Sequence, residues 1–190
     1  MRVIAGSAKG RRLKAPPGLN TRPITDMIKE ALFNIWGADI YDAQLLDLFA
    51  GSGSVGIEAL SRGAHKVVFV DNDSQAIKTI KDNLANCGFR DNCEIYRNDV
   101  FRAIEILNRN KAKFNFIYID PPFTNDKIFK EIMYSLDEID LLEREGILVI
   151  RTRRNKDMPA QLSKMKNFRL NNYGESSLHH YRIYEEGPGQ

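Results

Sequence analysis

Three short stretches carry residue types that could do chemistry. "LDLFAGSGSVG" holds Asp47 and, four residues later, a loop with Gly51, Gly53 and Gly56. "VVFVDN" ends in Asp71 and Asn72, and "YRNDV" ends in Asp99 and Val100. "YIDPPF" supplies Asp120, Pro121, Pro122 and Phe123. The glycines spell G-x-G-x-x-G, the pattern in which a backbone loop approaches a dinucleotide and a helix N-terminus follows. A pyrophosphate suits that helix end but not a carboxylate beside it. A cationic ligand tolerates both, and S-adenosylmethionine carries a sulfonium and an ammonium with no phosphate. Asp47 therefore leans the reading toward a methyl donor, although it could instead cap a backbone turn. Asp71, 20 residues after Gly51, is suited to accept from ribose hydroxyls, with Asn72 beside an adenine. Asp99 can accept from the adenine amino group, with the Val100 amide facing the ring, or it can cap a helix. Phe49 and Ala50 complete the expected cofactor set.

The Asp-Pro-Pro-Phe stretch suggests the acceptor. Two prolines fix two φ angles and restrict the residue before each. A stiff loop results, with an acid, a directed carbonyl and an aromatic ring. Asp120 and the Pro121 carbonyl could accept both N–H bonds of a base amino group while Phe123 stacks on the ring. Such an amine is a poor nucleophile because its lone pair is delocalised. Holding it so that the lone pair faces a methyl group would be catalysis by positioning and electrostatics.

Alternating elements must place these stretches together. Strands are expected over "QLLDLF", "KVVFVD", "CEIYRND", "FNFIYID" and "GILVIRT", with helices between them, and a final strand pair over "FRLNNYGESSLHHYRIYEE". A short helix is expected near residues 158–166. This order predicts an α/β fold: a seven-stranded, mostly parallel sheet with helices on both faces and an antiparallel edge. Ahead of it, "RVIAG" and "RRLKA" could pair as a small hairpin. "ITDMIKEALFNIWG" reads as an amphipathic helix with Ile24, Met27, Ile28, Ala31, Leu32 and Ile35 on its apolar side. The chain is thus expected to comprise an N-terminal extension, 1–37, and a catalytic domain, 38–190.

Composition narrows the partners. The 190 residues are 43% hydrophobic and 28% charged, ordinary for a globular protein. No apolar run suggests a membrane span, and the expectation is a cytoplasmic monomer. Cys87 and Cys93 lack further ligands nearby, so they read as small apolar residues and no metal is expected. The net charge is only +3, yet residues 1–25 hold Arg2, Lys9, Arg11, Arg12, Lys14 and Arg22 with no acid. A second cluster, "RTRRNK", contains Arg151, Arg153, Arg154 and Lys156. Basic clusters on either side of the candidate motifs fit a nucleic-acid surface.

"MRVIAG", "TRPITDMIKEALFNIWG", "LDLFAGSGSVGIEALSRGA" and "DPPF" together resemble the RsmD family of bacterial 16S rRNA (guanine-N2) methyltransferases. The likeness covers nearly the whole chain. It implies a Rossmann-like class I S-adenosylmethionine-dependent enzyme that methylates one guanine of small-subunit rRNA, within an assembling 30S subunit. It also implies cofactor roles for Asp47, Gly51, Gly53, Asp71 and Asp99, a catalytic role for Asp120–Phe123, and an approach of Thr21–Pro23 to the active site. The arm would contact RNA, with Arg2, Lys9, Arg11, Arg12, Lys14, Arg22, Arg153 and Arg154 as the expected contacts. Two positions depart from the family pattern: Met27, where relatives often have Arg, and Arg151–Thr152, where many carry an acid. A DNA adenine-N6 methyltransferase is the main rival, since similar loops serve that chemistry. It usually needs a separate domain to read duplex sequence, for which 190 residues leave little room. A protein N-methyltransferase, a dehydrogenase and a non-catalytic RNA-binding assembly factor fit the motif set less well.

Overall fold

The computed structural model describes residues 1–17 and 24–184. Twelve main elements follow in order: α1 (Asp26–Trp36), β1 (Gln44–Leu48), α2 (Ser54–Ser61), β2 (Lys66–Asp71), α3 (Ser74–Cys87), β3 (Cys93–Arg97), α4 (Val100–Arg109), β4 (Phe114–Ile119), α5 (Ile128–Glu138), β5 (Leu142–Arg153), β6 (Met165–Tyr173) and β7 (Ser176–Ile183). The strands form one sheet in the order β3-β2-β1-β4-β5-β7-β6. Strands β1 to β5 run parallel, and β7 is antiparallel to both β5 and β6. The expected seven-stranded, mostly parallel sheet is therefore present.

The period of two along β1 and β4 divides the core. Leu45, Phe116 and Tyr118 face a layer built by α1, α2 and α3. Leu46, Leu48, Ile117 and Ile119 face α4 and α5. Strands covered on both sides read as continuous apolar runs, which is why they were visible in the sequence. The chain order reverses between β1 and β4, and a crevice opens at such a point outside the carboxyl ends of the strands. The glycine loop leaves β1 there, and Asp120 follows β4. No helix among the described residues is long and apolar enough to cross a membrane.

Two expectations fail. No helix forms over 158–166. Pro159 brings no amide, and the buried Asp137 carboxylate of α5 accepts the Ser163, Lys164 and Met165 amides. A local turn anchored from outside replaces the i→i−4 bonds a helix would need. The apolar stripe of α1 is also rotated. Met27 is 60% exposed, whereas Ile28, Lys29, Leu32, Phe33 and Trp36 are buried.

Lys29 is tolerated inside because Glu58 of α2 lies 3.2 Å away, and both side chains are buried. The Lys29 Nζ also donates to the Arg2 carbonyl and to Ser54 Oγ. The Glu58 carboxylate accepts the Ile4 and Ala5 amides and pairs with Arg62. The N-terminal arm is stitched to α2 and α3 around this centre. Val3 and Arg11 begin a two-stranded turn, with one bridge between Arg2 and Arg12, so the expected hairpin is present in minimal form. Ser61 Oγ accepts the Ala8 amide and donates to the Ala5 carbonyl. Gly6, at φ +81°, passes so close that an added Cβ would lie 1.7 Å from the Ser61 carbonyl oxygen.

Removing one partner of a buried pair leaves an uncompensated charge and costs about 3–5 kcal/mol. Glu58→Ala should therefore lower the unfolding free energy by about that amount, read by urea titration of the Trp36 fluorescence. A loss below about 1 kcal/mol, the range of an exposed pair, would show that Glu58 is not what holds the arm.

Candidate active site

The glycine loop is shaped by what lies under it. Gly53, at φ +73°, is the residue before α2, and Gly56 sits directly over the Phe69 ring. A Cβ on Gly56 would lie 2.2 Å from that ring, so the third glycine serves helix–sheet packing. At Gly51, φ +56°, an added Cβ would meet the Phe49 carbonyl oxygen at 3.9 Å, an ordinary contact. Phe49 also has positive φ, 58°, and β1 stops one residue before it, at Leu48. The Ala50 amide donates to the Val70 carbonyl, holding the loop against β2.

Three acids converge on the carboxyl edge of the sheet. Asp47 is 2% exposed, and its Oδ2 accepts the Gly56 amide. Burial pushes its carboxyl well above the ordinary range, the Gly56 bond opposes this, and the Asp120 and Asp71 charges add to it. Asp71 accepts the Gly51 amide at 2.8 Å and the Asp73 amide at 2.9 Å. Its pKa is raised by burial, against those amide bonds. Each oxygen retains a lone pair for a further donor, which fits a ribose diol. Asp99 caps α4 by accepting the Phe101 and Arg102 amides through Oδ1. It is exposed, as is Asn72, and Val100 behind it is buried. The buried cation that reaches the start of α2, Lys29 against Ser54, is neutralised by Glu58. An acidic rim with a neutralised helix start fits the sulfonium and ammonium of S-adenosylmethionine better than a pyrophosphate.

The second half of the site follows β4. The Asp120 amide donates to the Leu48 carbonyl, drawing the Asp-Pro-Pro-Phe loop against the end of β1. Asp120 Oδ1 accepts from Arg151 Nε at 2.9 Å, and the Tyr118 hydroxyl lies 3.5 Å from Oδ2. Burial raises the Asp120 pKa, with Arg151 and Tyr118 pulling the other way. Phe123 is half-buried, with the Arg151 guanidinium 5.3 Å and the Arg153 guanidinium 5.9 Å from its ring centre. Pro121 is buried and Pro122 is half-buried.

Arg151 corrects the reading of "RTRRNK" as a uniform basic surface. It is 5% exposed and belongs to the Asp120 carboxylate. Its neighbours Arg153 and Arg154 are exposed. On the arm, Lys9, Arg11, Arg12 and Lys14 are exposed, and Arg2 is paired with Asp26 at 3.1 Å. Asn83 joins the arm to the glycine loop, because its side-chain amide donates to the carbonyls of both Lys14 and Ser52. Arg22 and the Thr21–Pro23 segment lie outside the described residues. No group of three or more His, Cys, Asp or Glu side chains among the described residues is placed to hold a metal.

The family described as Conserved hypothetical protein 95 matches residues 1–182. This chain belongs to that family. The match bears out the resemblance to the RsmD family drawn from the arm, glycine-loop and Asp-Pro-Pro-Phe motifs. The Bacillus subtilis protein YlbH, provisionally named an rRNA methyltransferase, is 41% identical over 182 residues, covering 96% of this chain and 98% of that one. Ribosomal RNA small subunit methyltransferase D of Escherichia coli K12 is 30% identical over 185 residues, covering 97% and 89%. The solved structure of yhhF from Escherichia coli, described provisionally as a methyltransferase, superposes with a TM-score of 0.82 at 29% identity over 96% of this chain and 97% of that one. The Rossmann-like methyltransferase fold thus runs through the family and this member.

Sequence reasoning missed Tyr118, Arg151, Lys29 and Glu58 as parts of the site and its support. Lys29 carried a signal, since it falls four residues before Phe33 on what proves to be the apolar face. Arg151 carried one too, as a cation at the end of a buried strand on the same face as Tyr118.

The buried Asp47 predicts a pH effect with a definite sign. A folded-state pKa above the unfolded value means that the folded chain holds the extra proton. The stabilisation is complete below about pH 4, the unfolded aspartate pKa, and is lost as pH rises toward the folded pKa. Asp47→Asn removes this dependence. In urea unfolding, wild type should lose stability relative to Asp47→Asn as pH is raised from about 4 to neutral. Parallel stability curves would contradict the burial of an ionisable Asp47.

Proposed function

We propose that this protein transfers a methyl group from S-adenosylmethionine to the exocyclic N2 of a guanine in 16S rRNA, within an assembling 30S subunit. The observation that carries the reading is the pairing of an acid-lined glycine loop with the Asp120–Phe123 loop, across the crevice between β1 and β4. The rRNA methyltransferase names of relatives matched over nearly the whole chain support the substrate class.

Asp71 accepts from the cofactor ribose, Asn72 flanks the adenine, and Asp99 with the Val100 amide reads the adenine edge. Phe49, Ala50, Gly51 and Gly53 form the floor of the loop, and Asp47 sets its shape by accepting the Gly56 amide. When bound, S-adenosylmethionine supplies a methyl group on a positively charged sulfur that departs as a neutral thioether. Asp120 and the Pro121 carbonyl accept the two N–H bonds of the guanine amino group and turn its lone pair toward that methyl, and Asp120 takes the proton that the nitrogen loses on gaining the methyl. Arg151 fixes the Asp120 carboxylate and leaves it further acceptor sites, since an ionised carboxylate offers about four. Phe123 stacks on the base, and Pro122 stiffens the loop. Catalysis is chiefly orientation in a water-poor site. The arm, residues 1–37, contacts rRNA through Arg2, Lys9, Arg11, Arg12, Lys14 and Arg22, and Arg153 and Arg154 contact it from the other side. The protein acts as a monomer in the cytoplasm.

The test offers purified protein methyl-labelled S-adenosylmethionine with unmethylated 30S subunits, naked 16S rRNA or duplex DNA, followed by digestion to nucleosides. Label is expected in N2-methylguanosine from ribosomal samples. Label in N6-methyladenine from DNA would transfer the same chemistry to the rival substrate. Donor binding without label in any sample would favour a binding protein.

A further inference from the structure

Beside the Asp-Pro-Pro-Phe loop, with Phe123 in its lining, lies a cavity of about 520 Å³. That volume falls within the span of about 300–1,000 Å³ usual for small-molecule and nucleotide sites. Phe123 and the buried Phe129 form its aromatic part, with ring centres 6.1 Å apart. The start of α5 and the turn after β5 form its walls. Five cations and two acids line it, a net charge of +3, equal to that of the whole chain. Both acids are already engaged: Asp126 with Lys156, and Asp157 with Lys130. The remaining positive charge sits on Lys127, Arg153 and Arg154. Asn155, at φ +64°, folds the turn back, and the Lys156 amide closes it on the Arg153 carbonyl, so Arg153, Arg154 and Lys156 line one cavity.

We infer that this cavity is a subsite for the single-stranded ribonucleotide next to the methylated base. Its chemistry is that of a site for the backbone of a flanking nucleotide: three cations not paired with a lining acid for a phosphate, beside the edge of Phe123 that carries the target base. A target base extruded onto Phe123 must have its neighbours held, because unstacking costs energy that contacts to the flanking strand offset. The inference rests on the rRNA reading above and adds the position of the flanking nucleotide and the residues that hold it. It also gives a role to Arg153 and Arg154, the cations of "RTRRNK" that pair with neither Asp120 nor Asp126.

Filter binding of labelled 16S rRNA across a salt series tests it, comparing wild type with Lys127→Gln, Arg153→Lys and the double variant Lys127→Gln/Arg153→Ala. S-adenosylmethionine affinity is measured on each protein. Loss of one single-strand phosphate contact lowers the slope of log affinity against log salt by about 0.7. Lys127→Gln should therefore lose about 0.7 and the double variant about 1.4. Arg153→Lys keeps the charge and should hold the wild-type slope. Cofactor affinity should be unchanged throughout, which a misfolded variant could not achieve. Wild-type slopes in Lys127→Gln and the double variant, with rRNA still bound and methylated by wild type, would overturn the subsite and leave the methyltransferase reading intact. A wild-type protein that neither binds nor methylates rRNA would sink that reading, and the subsite with it.

Discussion

The rest of the molecule depends on the carboxylate of Glu58. It has no exposure, so its charge must be met from inside. Lys29 comes from α1, Arg62 from the end of α2, and two amides from the arm. No one of these elements could keep its share of the network alone. The arm lacks enough apolar surface to fold by itself, and an unpaired Lys29 in the α1 stripe would be costly. Burial holds down the Lys29 pKa while Glu58 holds it up. Because α2 begins at the glycine loop, the same network that seats the arm also seats the loop. Basic residues along the arm are thereby fixed relative to the strand ends.

Acids buried at the carboxyl edge run against the usual preference of a helix start for anions. Asp47, Asp71 and Asp120 each have a pKa raised chiefly by burial. Each is restrained by backbone amides or by Arg151 rather than by a surrounding salt bridge network. A site prepared in this way costs folding stability and favours a cationic ligand over a phosphate, which separates it from dinucleotide sites that share its glycine spacing. Arg151 balances the charge of Asp120, its Nε donating to Oδ1 of that carboxylate.

The sheet was legible in the sequence because strands buried on both faces leave unbroken apolar runs, as in "KVVFVD" and "FNFIYI". Asp71 and Asp120 were legible because each ends or follows such a run directly. Features fixed by distant contacts were not. The segment at 158–166 has helix-compatible residues, but Asp137, more than 20 positions earlier, captures its amides. Met27 and Lys29 exchanged places across the surface of α1 because a buried acid on another helix outweighed hydrophobicity. Arg151 looked like part of a basic run, and only the pairing of β4 with β5 brings it to Asp120.

On the proposed function, the two ends of the crevice do different work: the β1–β2 end holds the donor, and Asp120 holds the amine. Single-turnover methyl transfer and S-adenosylmethionine affinity, both measured on Asp120→Asn, separate them. Transfer should slow by about 100-fold or more, the scale for removing one preorganised electrostatic contact, while donor affinity stays at the wild-type value. Transfer at the wild-type rate, or a loss of donor affinity as large as the loss of rate, would contradict the division.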